Sequence, residues 1–140
     1  MPKAPFSHQV EVRFRDCDPM GHVNHAVYLT YLEQARFAYW RALTAARPGP
    51  GAGIIIARAE CDFRSPVVVG DRVDVRLWVS HVGRSSFTLD YEIVHAGDGR
   101  MVATARTVIV TYDYAAGRSM PIPDDMRALL DQGRLDPVGG

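Results

Sequence analysis

Between Arg15 and Tyr28 the chain reads Arg15-Asp16-Cys17-Asp18-Pro19-Met20-Gly21-His22-Val23-Asn24-His25-Ala26-Val27-Tyr28. Two carboxylates, a thiol and two imidazoles sit beside a glycine turn, immediately upstream of a strongly helical segment. The first backbone N–H groups of a helix lack intrahelical acceptors and can stabilise developing negative charge. An acid–base group beside such a terminus is equipped for acyl-transfer chemistry.

Other chemistries fit these residues less well. Asp16-x-Asp18-x-x-Gly21 resembles the opening of a calcium loop, but its fifth position is Met20 and its twelfth is Val27. His22 and His25 with Asp18 could begin a zinc site, yet no second histidine–cysteine cluster supplies further ligands. No metal is expected. Cys17 beside the histidines invites a thiol nucleophile, although strand alternation points it away from Asp16 and Asp18, toward packing. The chain has no Gly-x-Ser-x-Gly elbow, no Gly-x-Gly-x-x-Gly and no phosphate-binding P-loop.

Carboxylate chemistry remains. An unperturbed Asp has a pKa of about 3.9 and is ionised at neutral pH, but it is a weak base. Its target should therefore be reactive, and a thioester meets that need. Asp18, at the turn beside the helix start, is the candidate. For Asp16, capping the turn and pairing with Arg13 or Arg15 is the favoured role.

The elements that must hold these groups follow from periodicity. Val10, Val12 and Phe14 alternate with charged residues and predict a short first strand. From Asn24 to about Ala46, Tyr28, Tyr31, Leu32, Ala35, Ala38, Tyr39 and Ala42 recur at helical spacing, with Asn24 as N-cap. Arg47 to Gly53 is expected to end the helix in a mobile loop. Four strands follow: Ile54 to Phe63 with an alternating Ala57, Ala59, Cys61, Phe63 face, Val73 to Ser80, Phe87 to Ile93, and Met101 to Tyr112. Gly97-Asp98-Gly99 marks the last hairpin. A short helix runs through about residues 123–132, with Gly133 at C′, and the tail from Arg134 is expected to be loosely held.

This order predicts one α+β domain over residues 1–140, with a five-stranded antiparallel sheet wrapped around a long, largely buried helix. Zero net formal charge excludes the basic footprint of a nucleic-acid binder. No apolar run is long enough to span a bilayer, and Met1 to Ser7 lacks a signal-type apolar region, so a cytoplasmic location with reduced Cys17 and Cys61 is expected.

The pattern Val12-x-Phe14-x-Asp16-Cys17-Asp18-Pro19-Met20-Gly21-His22-Val23-Asn24-His25-Ala26-x-Tyr28-x-x-Tyr31-x-Glu33-x-Ala35-Arg36 resembles the hotdog-fold acyl-CoA thioesterases of the 4-hydroxybenzoyl-CoA thioesterase type. Asp62-Phe63-x-x-Pro66, Gly70-Asp71 and Gly83-Arg84-Ser85-Ser86 extend the likeness over about residues 8–113. The resemblance implies hydrolysis of an acyl-CoA, with no cofactor beyond the coenzyme A of the substrate. It implies Asp18 as nucleophile or general base, and His25 at the helix start whose backbone N–H polarises the carbonyl. Asn24 would orient water or the carboxylate. Tyr28 and Tyr31 would line the acyl pocket or pack the helix core, and Arg84, Ser85 and Ser86 are the nearest coenzyme A contacts. A homodimer or homotetramer with the acyl pocket between subunits is implied as well. The 4-hydroxybenzoyl enzyme carries an apolar, aromatic stretch where this chain has His22-Val23-Asn24-His25, so its aromatic specificity does not transfer. An acyl-carrier-protein thioesterase and a non-catalytic thioester-binding protein are the alternative readings.

Overall fold

The computed structural model describes residues 5–44 and 53–137. Its order is β1 (Phe6–Glu11), a 3-10 turn (Phe14–Asp16), α1 (His25–Thr44), β2 (Gly53–Phe63), β3 (Arg72–Val82), β4 (Ser86–His95), β5 (Met101–Asp113), β6 (Arg118–Ser119) and α2 (Asp124–Gln132). The strands form one antiparallel sheet in the order β1-β3-β4-β5-β2, with the two-residue β6 beside the end of β5. This is the hotdog arrangement, with α1 lying against the inner face. Among the described residues no helix is long and apolar enough to cross a membrane.

Period-two patterning makes the core. Val73, Val75, Leu77 and Val79 of β3, with Phe87, Leu89, Tyr91 and Ile93 of β4, point inward and are buried. Ala103 and Ala105 of β5 lie opposite Ile93 and Tyr91, so small residues make room for large ones. Tyr28, Tyr31, Leu32, Ala35 and Tyr39 of α1 fill the space above them. Burying each large apolar side chain contributes roughly 1.5–3 kcal/mol.

Four expectations are corrected. The first strand lies earlier: β1 pairs from Phe6 opposite Leu77 to Glu11 opposite Arg72, where β3 begins and the partner runs out. Val10 and Val12 do point inward, but Phe14 is 85% exposed in the 3-10 turn. The long helix is buried on one face only, because Leu29 (45% exposed) and Phe37 (65%) face outward and Ala42 is exposed. Gly133 caps α2 with φ −95° rather than in the left-handed region. The tail is pinned, not loose: Leu135 N–H donates to Val79 O at 2.8 Å, and the Trp78 indole donates to Asp136 O at 2.7 Å. Beyond Phe6, β1 no longer covers β3, and residues 133–135 take its place along that edge. Residues 45–52, including most of the expected glycine-rich loop and the last turn expected of the helix, lie outside the described residues.

β2 ends the sheet on the other side, and its side chains are mostly exposed on both faces. Its ladder with β5 is interrupted by a bulge between Ile56 and Arg58, which offsets the expected alternation of Ala57, Ala59, Cys61 and Phe63.

Truncation after Gly133 removes the Leu135 and Asp136 contacts. It should lower stability by about 1–3 kcal/mol, measured as a lower thermal midpoint by circular dichroism. A midpoint equal to that of the full chain would mean the tail holds nothing.

Candidate active site

The segment joining β1 to α1 folds back on itself as a miniature hairpin. Cys17 and Val23 face each other in an antiparallel bridge, flanked by Asp18 N–H to His22 O and Asn24 N–H to Asp16 O, both 2.9 Å. Cys17 packs against the core. Asp18-Pro19-Met20-Gly21 makes the tip, closed by Gly21 N–H to Asp18 O at 2.9 Å. Gly21 sits at φ +83°, where a side chain would strain the backbone even though nothing lies within 4 Å to obstruct it.

The two carboxylates of this hairpin have different surroundings. Asp16 is 2% exposed. Its Oδ2 accepts the Arg13 N–H at 2.9 Å and the Tyr31 hydroxyl at 2.8 Å, and its Oδ1 accepts Arg13 Nη2 at 3.0 Å. Burial pushes its pKa up, but the Arg13 side chain, the Arg13 backbone N–H, the Tyr31 hydroxyl and the Arg13 charge outweigh that. The net result is below the ordinary carboxylate value. The same contact, together with burial, drives the Tyr31 hydroxyl far upward.

Asp18 is half-buried. Its Oδ1 accepts the Met20 N–H at 2.9 Å in an Asx turn, while its Oδ2 accepts no hydrogen bond among the described residues. One oxygen is thus fixed and the other is open.

The start of α1 is equally selective. Asn24 is the N-cap, and its Oδ1 accepts the Ala26 N–H at 2.9 Å. Val27 N–H donates to Asn24 O, and the Asn24 N–H itself goes to Asp16 O. Among the described residues, the His25 N–H has no acceptor. Of the stretch Asn24 to Ala26, only this donor remains available.

Asp18, His22, His25, Tyr28, Phe63 and Ser65 line one open depression of about 360 Å³. Phe63 forms its far wall, with its ring 6.3 Å from His25, edge-on, and 5.3 Å from Tyr28. Arg100 braces that wall by donating to Pro66 O at 2.9 Å and to Ser65 Oγ at 3.3 Å. Burial, with the charges of Cys61 and Cys17, pushes the Tyr28 hydroxyl up. Burial likewise pushes the Cys61 thiol up to about 11, so it is protonated at neutral pH and unsuited to attack. Among the described residues no three His, Cys, Asp or Glu side chains group to hold a metal ion. A smaller depression of about 130 Å³ lies between Glu60 and Arg106, away from these groups.

Asp18, His25 and Tyr28 therefore come together, with Asn24 supporting them from the cap. Tyr31 does not line the depression and instead carries Asp16. Arg84, Ser85 and Ser86 lie elsewhere: Ser86 is opposite Val110 of β5, whereas Phe63 is opposite Ala103. Seven residues along a strand correspond to about 23 Å. The 83–86 turn is fixed there by Thr111 N–H to Ser85 O and by Arg127 to Gly83 O, both 2.9 Å. Sequence reasoning did not place Phe63, Ser65 and His22 as lining residues, although Asp62-Phe63-x-x-Pro66 was a usable signal.

Replacing Tyr31 by Phe leaves Asp16 buried with one acceptor position unfilled. At neutral pH this should cost about 1–3 kcal/mol. Because the folded-state pKa of Asp16 lies below its unfolded value, its contribution is present above about pH 4 and fades as pH falls through the folded value. Denaturant unfolding at pH 7 and between pH 5 and 2.5 should show the wild-type advantage shrinking toward acid. An advantage that stayed constant would separate Tyr31 from the Asp16 charge.

Residues 12–130 match the thioesterase-like superfamily. The chain is 30% identical over 132 residues to the 1,4-dihydroxy-2-naphthoyl-CoA hydrolase of Synechococcus elongatus, covering 91% of this chain and 96% of that one. It is 25% identical over 129 residues to the long-chain acyl-CoA thioesterase FadM of Escherichia coli, covering 89% and 96%. Among solved structures, a Thermus thermophilus thioesterase complexed with coenzyme A and zinc superposes with a TM-score of 0.80 at 34% identity, covering 94% and 96%. By these likenesses the chain belongs to the thioesterase-like superfamily and is a thioester hydrolase.

Proposed function

We propose that the substrate is an acyl-CoA, hydrolysed to a free carboxylic acid and coenzyme A, and that Asp18 supplies the chemistry. The observation that carries this reading is the pairing of the open Asp18 Oδ2 with the unclaimed His25 N–H across one depression. The coenzyme A carrier is supported by the relatives, one a CoA hydrolase and another an acyl-CoA thioesterase.

The thioester carbonyl oxygen approaches the His25 N–H, whose dipole and helix terminus favour the negative charge that develops there. Asp18 Oδ2 either takes a proton from the attacking water or attacks the carbonyl carbon itself. In both routes a C–O bond forms, the C–S bond breaks, and coenzyme A leaves as thiolate and is protonated. The direct route passes through an acyl-aspartyl anhydride that water then opens, so one water is consumed per turnover either way. Tyr28 and Phe63 would hold the first part of the acyl group.

The functional unit is a homodimer joined through β2. An edge strand with unpaired N–H and C=O groups pairs readily with an antiparallel copy of itself. Such pairing sets the Phe63 end of one β2 beside the Gly53 end of the other. The partner's sheet then continues through its β5 to its β4, and the 83–86 turn arrives at the same end as Asp18. Three strand spacings separate them, about 14 Å. Arg84, Ser85 and Ser86 would thereby reach the coenzyme A of the other subunit's substrate.

Asp18→Asn should reduce turnover at least 10²- to 10³-fold, the scale seen when one group that stabilises the transition state is lost. Thiol release measured with an Ellman-type reagent across an acyl-CoA panel, alongside unchanged circular dichroism, reads this directly. Wild-type turnover by a folded Asp18→Asn protein would eliminate Asp18. Failure of every acyl-CoA, with release from the matching acyl-carrier proteins, would reassign the carrier.

A further inference from the structure

Glu33 and Arg36 lie on the outward side of α1, in depressions of about 210 and 160 Å³ between that helix and β2. Their neighbours there are largely apolar, including Leu29, Phe37, Ile56 and Trp40. Residues three apart on a helix can reach each other, yet neither Glu33 nor Arg36 makes an ion pair among the described residues. Arg36 is half-buried and donates one long hydrogen bond, 3.4 Å, to the Tyr91 hydroxyl. That hydroxyl already shares a 2.7 Å bond with Thr107. A guanidinium so placed has donors to spare, which a carboxylate from outside could fill with charge-assisted hydrogen bonds.

Symmetry identifies the source of that carboxylate. Arg58 is the middle residue of β2 (Gly53–Phe63), so two copies of the strand in full antiparallel overlap place their two-fold axis there. Ile56 and Ala59, on either side of Arg58, line the same depression as Glu33 and Arg36. The axis therefore passes over this pair. Two α1 helices brought side by side about it run antiparallel and meet at Glu33 and Arg36, with Leu29 and Phe37 of each helix flanking the contact. One helix face carrying both signs three residues apart is complementary to its own two-fold copy.

We infer that in the dimer Glu33 of each subunit pairs with Arg36 of the other, two reciprocal ion pairs that set the register of the antiparallel helices. The inference rests on the edge-strand dimer proposed above and adds the contact that fixes it.

A mixing experiment separates pairing between subunits from pairing within one helix. Glu33→Arg gives a chain with Arg at both positions, and Arg36→Glu gives a chain with Glu at both. Each homodimer then sets like charges together, and dimer association should weaken about tenfold or more by sedimentation or light scattering. In the mixture, every contact across the axis is Arg against Glu, so native mass spectrometry should show heterodimer well above the statistical half. Pairs confined to one helix would not be restored by mixing, and a statistical or absent heterodimer would overturn the inference. So would a monomeric wild-type chain, or an unaltered Glu33→Arg dimer. Glu33 is exposed, so that variant should fold. Where Arg36→Glu fails to fold, Arg36→Gln keeps a donor for Tyr91, and its mixture with Glu33→Arg should still exceed the statistical fraction. Thiol release by the wild-type chain is assayed separately, so loss of the ion-pair inference leaves the proposed reaction to stand or fall alone.

Discussion

The buried Asp16 carboxylate is the constraint from which the site is built. A charge removed from water is tolerated only when its lone pairs are filled, and filling them draws three parts of the chain together. The 3-10 turn supplies Arg13 through backbone and guanidinium, and α1 supplies the Tyr31 hydroxyl. The Asp16 carbonyl takes the Asn24 N–H and so places the residue that caps the helix. Hairpin and helix terminus are thereby locked to each other through one side chain. Asp18, two residues on, inherits its position without making any of those bonds. This separates the two carboxylates by role: one is saturated and holds geometry, the other keeps an oxygen open.

The same economy governs the helix start. An uncapped terminus would offer several N–H groups, and a bound oxygen could choose among them. Here the Asn24 side chain and carbonyl and the Asp16 carbonyl claim the N–H groups around it, leaving that of His25. In the proposed reaction, a single remaining donor would define where a carbonyl oxygen sits relative to Asp18. His25 matters through its main chain, while its ring lies edge-on to Phe63 and helps shape the wall.

What was legible in the sequence was what local patterning controls. Alternation identified β3, β4 and β5 because their inner faces are buried along their length. Helical spacing found α1, and Asn24 was recognisable as its cap. Asp18 stood out because the turn and the helix start flank it directly. Features set by distant partners were not legible. Phe14 continued an alternating pattern, but β3 begins at Arg72 and offers no further partner. The tail looked unstructured because its partners, Val79 and Trp78, are more than fifty residues away. Tyr31 read as either a pocket or a helix-core aromatic; it is in the core, but nothing local signals that its hydroxyl reaches back fifteen residues to a buried carboxylate. The 83–86 turn was recognised by type, whereas its separation from Asp18 depends on the register of three strands.

That separation bears on how the whole protein is organised. One chain carries Asp18 and the α1 start at one end of its sheet and the Arg84 turn at the other. It also leaves an eleven-residue strand open at the edge and an uncovered stripe on its long helix. Taken singly these are liabilities, since open strand edges and contiguous apolar surface promote unwanted association. The proposed two-fold operation would remove all of them: it would pair the strand, cover the stripe and bring the opposite ends of two chains together. In the dimer proposed above, the carboxylate and the proposed coenzyme A contacts of each site would come from different copies. In that proposed assembly, acyl selectivity would depend less on any one lining residue than on how closely the two helices approach. Substitutions along the outer face of α1 would alter substrate choice without touching Asp18 or the helix start.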